Sequence, residues 1–258
     1  MRWTRRRRDL KLTGVTFDCE LMLNRPESSS SDALDIRRTI GAQLRESLQE
    51  LPPTPFDWST FDPTSALRSG GPVIGDASDL RLAALMKLLC TAPARAPELR
   101  ALWNESVVTA EYSLRLAPML NADPGTCATA ALLHRLGDLL TLRVIGTLEH
   151  AMRVRLDAAS RADLCAEHGG DLLDRAVRDW GVPPRAAATA AEWRRLREFP
   201  SAAAEATAVY LARLFAIERL SPQFCAPGMI EHACEEAGIG AAAVERLRDE
   251  SAIAPAVV

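Results

Sequence analysis

Hydrophobic residues recur at helical spacing over most of the chain. Ile36, Ile40, Leu44, Leu48 and Leu51 lie three or four residues apart, which places them on one face of an amphipathic helix. Four later stripes are marked by Leu82, Leu85, Met86 and Leu89; by Trp103, Val107, Ala110 and Leu114; by Leu172, Leu173, Ala176, Val177 and Trp180; and by Ala208, Leu211, Ala212 and Phe215. Two short final helices are expected between residues 228 and 250. The pattern predicts a helical bundle.

One segment near the start alternates with a period of two instead. Val15, Phe17, Cys19, Leu21 and Leu23 fall on one side of an extended segment, and polar residues fall on the other. This pattern predicts a strand, which needs a partner for its backbone groups. The partner is left open among residues 10–13 folded back as a hairpin, the segment near residue 73, and another chain.

Breaker residues divide the chain. Residues 52–79 are dense in Pro, Gly, Ser and Asp, so we expect a loop-like crossing held by three aromatic side chains, Phe56, Trp58 and Phe61. We place the boundary here, with residues 1–50 as an N-terminal appendage and 51–258 as the helical domain. Asp123 and Pro124 form a capping signal that opens the helix expected to carry "ALLHRLGDLL", residues 131–140.

Composition supports an all-α fold with a small appendage that contains the strand or hairpin. Hydrophobic residues make up 48% of the chain and aromatic residues only 5%, with Ala, Leu and Arg abundant. The 31 Lys and Arg against 34 Asp and Glu leave a net charge of -3, so nucleic acid is not an expected partner. We interpret the basic run Arg5–Arg8 as a solvated tail. A nucleic-acid regulator using that run would bind in a salt-dependent manner.

The sequence also bears on location and redox chemistry. No apolar run approaches the ~20 residues of a membrane span, so we expect a cytoplasmic protein without membrane contact. The six cysteines are scattered without a Cys-x-x-Cys pair, which argues against a zinc knuckle or a disulfide framework. Nucleotide-binding glycine loops and the Gly-x-Ser-x-Gly elbow do not occur.

His134 is the histidine whose setting most invites a mechanism. A divalent cation needs several nitrogen or oxygen ligands, and Arg135, directly after His134, would repel a cation if both side chains entered the same site. The other histidines, at positions 150, 168 and 232, show no recognisable metal spacing. Residue chemistry alone therefore predicts a core-edge histidine whose ring bonds a backbone carbonyl.

Four segments together resemble a known family. They are "LWNESVVTAEYSLRLA" (102–117), "AALLHRLGDLLTLRV" (130–144), "DLLDRAVRDWGVP" (171–183) and "AVYLARLFA" (208–216). Their order and spacing resemble the HDOD family, the HD-related output domains of bacterial signalling proteins. The resemblance covers roughly residues 51–217 and implies an HD-like helical bundle.

The resemblance also marks where this chain departs from the metal-binding HD pattern. The first block keeps Trp103 and Ser106 but has Glu105 where the family has histidine. The second block keeps His134 and Gly137 but has Arg135 in place of the aspartate. Beyond the third block, which keeps Trp180, the chain has Glu192 and Trp193 where catalytic relatives offer histidines.

The resemblance thus implies a vestigial site at four positions, which are Glu105, His134, Arg135 and Asp138. Trp103, Gly137 and Trp180 are assigned structural roles. We expect no metal, no cofactor and no catalytic residue. The expected function is a regulatory or scaffold domain in bacterial signal transduction that contacts other signalling proteins, with a homodimer left open. The rival is a metal-dependent phosphohydrolase acting on a nucleotide or other phosphoester, in which Glu105, His134, Asp138 and His168 would surround an ion.

Overall fold

A computed structural model describes residues 30–47, 49, 51–68, 77–92, 94–194 and 203–251. These residues form an all-α bundle, and no strand occurs among them. The helices are α1 (Ser30–Ser47), α2 (Pro63–Arg68), α3 (Ala77–Leu89), α4 (Ala96–Leu116), α5 (Pro124–Leu133), α6 (Leu136–Met152), α7 (Ala158–Asp179), α8 (Pro184–Arg194), α9 (Ala204–Leu220), α10 (Met229–Glu236) and α11 (Ala241–Ser251).

The helices that hydrophobic spacing predicts are present, including the two short ones at the end. The predicted capping signal also forms, because the Asp123 carboxylate accepts a hydrogen bond from the Thr126 backbone N–H at 2.7 Å. The predicted strand over residues 15–23, two of its three candidate partners and the Arg5–Arg8 run all lie outside the described residues.

The crossing over residues 52–79 contains more structure than the sequence predicts. A 3₁₀ turn spans Trp58–Thr60, and α2 begins after two intervening residues. Both are too short to show a hydrophobic period, which is why composition indicates only a loop. The three aromatic side chains pack together as expected, with ring centroids 4.9 Å apart for Phe56 and Trp58 and 5.4 Å apart for Trp58 and Phe61.

The prediction that the stretch "ALLHRLGDLL" lies in one helix is wrong. Helix α5 ends at Leu133 and α6 begins at Leu136, with His134 as the C-cap of the first and Arg135 as the N-cap of the second. Arg135 leaves the helical conformation with φ -103° and ψ 7°. Hydrophobic spacing continues across the break because both helices bury this part of the chain, so periodicity could not reveal it.

Helix α4 is central to the packing, since it contacts both α5 and α9 and supplies side chains to two core clusters. Leu99 and Trp103 belong to the first cluster, together with residues of α5, α6 and α7. Tyr112 belongs to the second, where its ring stacks on that of Phe215 at 5.2 Å. The start of α6 crosses α7 at very close range at Gly137. The break before α6 places His134 beside Glu105, near the middle of α4.

Helix α1 joins the same core although it precedes the position where we drew the domain boundary. It packs on α6, and the side chains of Ile40 and Leu44 are completely buried in the first cluster. The division at residue 50 stays a proposal. Among the described residues, no helix combines the length and the apolar character needed to cross a membrane.

A buried charge cluster as the candidate functional site

Three helix segments bring the four positions of the predicted vestigial site together. Glu105 lies in the first half of α4, His134 and Arg135 occupy the break between α5 and α6, and Asp138 lies in the first turn of α6. Helix α9 adds a fifth member, Arg213. All five side chains are buried or nearly so, with at most 16% of any of them exposed to solvent.

Glu105 is the acceptor at the centre of this cluster. Its Oε1 accepts a hydrogen bond from Arg213 Nε at 2.9 Å, whereas His134 Nε2 lies 3.9 Å away, beyond hydrogen-bonding distance. Burial alone would raise the pKa of the Glu105 carboxyl, but the charged guanidinium groups of Arg135 and Arg213 favour the ionised form, so that the pKa lies well below its usual range. Glu105 is therefore ionised at neutral pH.

His134 is completely buried and is held through its other ring nitrogen. Nδ1 lies 2.5 Å from the carbonyl oxygen of Ala131, and because a carbonyl only accepts hydrogen bonds, Nδ1 must carry the proton. Nε2 then has no proton and faces the Glu105 carboxylate. Burial lowers the pKa of His134, and Arg213 adds to that effect, while Glu105 opposes it without cancelling it. The imidazole is neutral at neutral pH.

Arg135 folds back onto the helix that it caps. Its Nε lies 3.2 Å from Asp138 Oδ2, three residues further along, and the Asp138 residue is only 5% exposed. The guanidinium thus compensates a buried carboxylate and also acts electrostatically on Glu105. Arg135 does point into the cluster, the orientation in which its charge would repel a cation.

Trp193 of α8 closes the cluster on a further side. Its ring meets the His134 ring edge-on with centroids 4.8 Å apart, and the Arg213 guanidinium lies over its face, 5.0 Å from the ring centroid. Arg213 is therefore held between an indole face and a carboxylate. Sequence reasoning missed Arg213, although it is the single charged residue in the otherwise uncharged stretch "AVYLARLFA".

The cluster as a whole is electrically balanced, with two guanidinium groups, two carboxylates and a neutral imidazole. No group of three or more His, Cys, Asp or Glu side chains within the described part of the chain is arranged to hold a metal ion. The rival ligand set with His168 is therefore not assembled. His168 Nε2 instead lies 3.6 Å from Glu167 Oε1 on α7, and Glu192 is half-buried on α8.

Residues 78–192 match the family model described as the HDOD domain. The chain contains an HDOD domain. The matched segment runs from α3 through α8 and includes all four vestigial positions, whereas α1 and Arg213 lie outside it. No curated protein and no solved structure matches the chain.

The three residues to which we assigned structural roles lie in the packed interior of the HDOD domain. Trp103 is 6% exposed. Trp180 is 5% exposed, and its Nε1 donates to the Pro52 carbonyl oxygen at 2.9 Å. Gly137 marks a very close helix crossing, because a Cβ added there would lie 1.7 Å from the carbonyl oxygen of Gly169 on α7. Only a residue without a side chain fits at that point.

Proposed function

We propose that this chain is a non-catalytic regulatory or scaffold domain of bacterial signal transduction that acts through protein–protein contacts. The observation that carries the proposal is the pairing of two guanidinium groups with the two carboxylates of the vestigial site, Arg213 with Glu105 and Arg135 with Asp138. The HDOD domain supports the link to signalling.

Metal-assisted hydrolysis needs carboxylate or imidazole donors that face a cation, and it needs local negative charge to hold that cation. Here Glu105 and Asp138 face arginine side chains that remain charged at any ordinary pH. A cation entering the cluster would have to separate two buried ion pairs and leave two positive charges beside it. That cost opposes metal binding at this position.

The location, the partners and the role of the N-terminal segment that we propose all follow from this regulatory function. We infer a cytoplasmic protein that contacts other signalling proteins, and a homodimer remains compatible with the same role. Residues 1–50 would act as an N-terminal appendage whose helix α1 packs against the HDOD bundle. Specificity for a partner would come from the surface of the bundle, since the charge cluster is buried.

Activity measurements test the proposal. Purified full-length protein is assayed against nucleotide monoesters, cyclic nucleotides and a generic aryl phosphate, each with added manganese, magnesium or iron. We expect hydrolysis no faster than that of the His134→Ala variant. Phosphoester hydrolysis at an enzyme-like rate that disappears in His134→Ala, but persists in the exposed-site control His150→Ala, would establish the phosphohydrolase instead.

A further inference from the structure

Helix α1 packs on the bundle through one amphipathic face. Ile40 and Leu44, one helical turn apart, are completely buried, and Ile36, one turn earlier, is partly buried against the same core. Gly41 lies beside them, and a Cβ added there would be 3.6 Å from Leu164 Cδ2 on α7. The seat of α1 is thus an apolar face formed by α6 and α7.

The edge of this seat is acidic, and α1 meets it with arginines. Arg37 Nη1 lies 3.2 Å from Asp163 Oδ2, and Arg45 Nη1 lies 3.8 Å from Glu167 Oε1. Asp163 and Glu167 are one turn apart on α7, so the acidic edge runs along that helix. All four side chains are at least about one-third exposed, so salt weakens both pairs and neither holds α1 firmly.

Among the described side chains of α1, those that face away from the bundle are mostly polar. Arg38, Thr39 and Gln43 are exposed between the buried positions. After the helix, the chain is held through two backbone carbonyls, with Gln49 accepting from Arg175 Nη2 and Pro52 accepting from Trp180 Nε1. This attachment lies beyond the C-terminal end of α1, so the chain would stay attached to α7 if the helix left its seat.

The seat and its occupant also differ in whether the family model covers them. Helices α6 and α7 lie inside the segment that matches the HDOD family, whereas α1 precedes that segment by about thirty residues. The HDOD domain therefore provides a surface that fits a helix, and this chain supplies a helix for it from outside the domain.

We infer that the face of α6 and α7 is a helix-binding surface which α1 occupies as a displaceable internal ligand. The partner that it fits is an amphipathic helix of another protein, with aliphatic residues at i, i+4 and i+8 and with arginines at i+1 and i+9. Those are the positions of Ile36, Ile40, Leu44, Arg37 and Arg45 in α1. The acidic edge formed by Asp163 and Glu167 selects the basic flanks.

This inference rests on the proposed function for the existence of a partner, and it names the surface that the partner uses. A tethered helix competes at a high effective concentration, so a partner helix binds only weakly while α1 is seated. Loosening α1 must therefore increase the affinity for an added helix. That relation separates a displaceable ligand from a permanent part of the core.

A labelled peptide of residues 30–51 serves as the probe, and its binding to the full chain is followed by fluorescence anisotropy. The double variant Ile40→Asp, Leu44→Asp unseats α1, whereas Gln43→Asp places the same charge on the exposed face of the same helix. We expect the peptide to bind the double variant at least about tenfold more tightly than the wild-type chain or Gln43→Asp. Added salt should weaken this binding.

A second variant covers the case in which the double variant fails to fold. Arg37→Glu with Arg45→Glu changes only the exposed ion pairs of α1, and it should also bind the wild-type peptide more tightly than the wild-type chain does. Equal peptide affinity in all folded variants, or no binding to any of them, would overturn the inference. That result would leave the proposed function standing, whereas phosphoesterase activity would overturn the function and not the binding surface.

Discussion

Arg213 shows how two positive charges come to be buried beside a histidine. A charged group loses several kcal/mol of hydration on burial unless an opposite charge and hydrogen bonds replace the water. Glu105 provides the opposite charge, and the face of Trp193 covers the guanidinium on the other side. Asp138 provides the opposite charge for Arg135. A neutral His134 keeps the total balanced, and protonation would add an uncompensated positive charge.

We therefore predict that the buried, neutral His134 makes the free energy of unfolding fall in mild acid. Its folded pKa lies below the unfolded value of about 6.5, so below that pH the unfolded chain binds more protons than the folded one. The free energy of unfolding should fall as the pH drops from about 6.5 to the folded pKa, by no more than about 1.4 kcal/mol per pH unit for this group. Glu105, whose folded pKa is depressed, adds a further loss only below about pH 4.3.

Urea unfolding at pH 7.5, 6.5 and 5.5 measures this effect in the wild-type chain and in His134→Gln. The variant should lose less stability than the wild type between pH 6.5 and 5.5, because glutamine does not titrate. His232→Gln serves as the control, since that histidine is largely exposed. Parallel pH dependence in the wild type and His134→Gln would contradict a neutral, buried imidazole.

At the scale of the helices, α6 crosses α7 so closely that position 137 has room only for glycine. An alanine at position 137 would place its Cβ against a backbone carbonyl, which cannot move without separating the two helices. We expect Gly137→Ala to lower the free energy of unfolding by about 1–3 kcal/mol or more through overpacking. Thermal or urea unfolding would measure it.

Gly170 provides a matched control on α7. A Cβ added there has no neighbouring atom within 4 Å, so Gly170→Ala should raise the free energy of unfolding by about 0.5–1 kcal/mol through better helix propensity. If the two alanine variants proved equally stable, the close approach of α6 to Gly169 would be wrong.

Hydrophobic period and capping chemistry were sufficient to predict most of the helices. The Asp123 cap and the stripes of α4, α7 and α9 depend on local spacing, which a sequence displays directly. The break at residues 134–135 and the short α2 could not be predicted. Continuous burial hides the first, and the second is shorter than two turns.

For the molecule as a whole, the resemblance located the vestigial positions but not the way their charges are paired. Glu105 and Arg213 are more than a hundred residues apart, and only the packing of α9 on α4 brings them together. Arg135 with Asp138 is a local pair, three residues apart, that a sequence can suggest. A site formed by distant helices needs the fold before its electrostatics can be derived.

The balanced charge of the cluster is the central claim, and metal content tests it most directly. Full-length protein is purified without chelator and analysed for manganese, iron, zinc, magnesium, nickel and cobalt, beside His134→Ala prepared in the same way. Because Glu105 and Asp138 already pair with Arg213 and Arg135, both proteins should contain only trace, substoichiometric metal. One tightly held equivalent of divalent metal in the wild type that is lost in His134→Ala would contradict the account and favour a hydrolase.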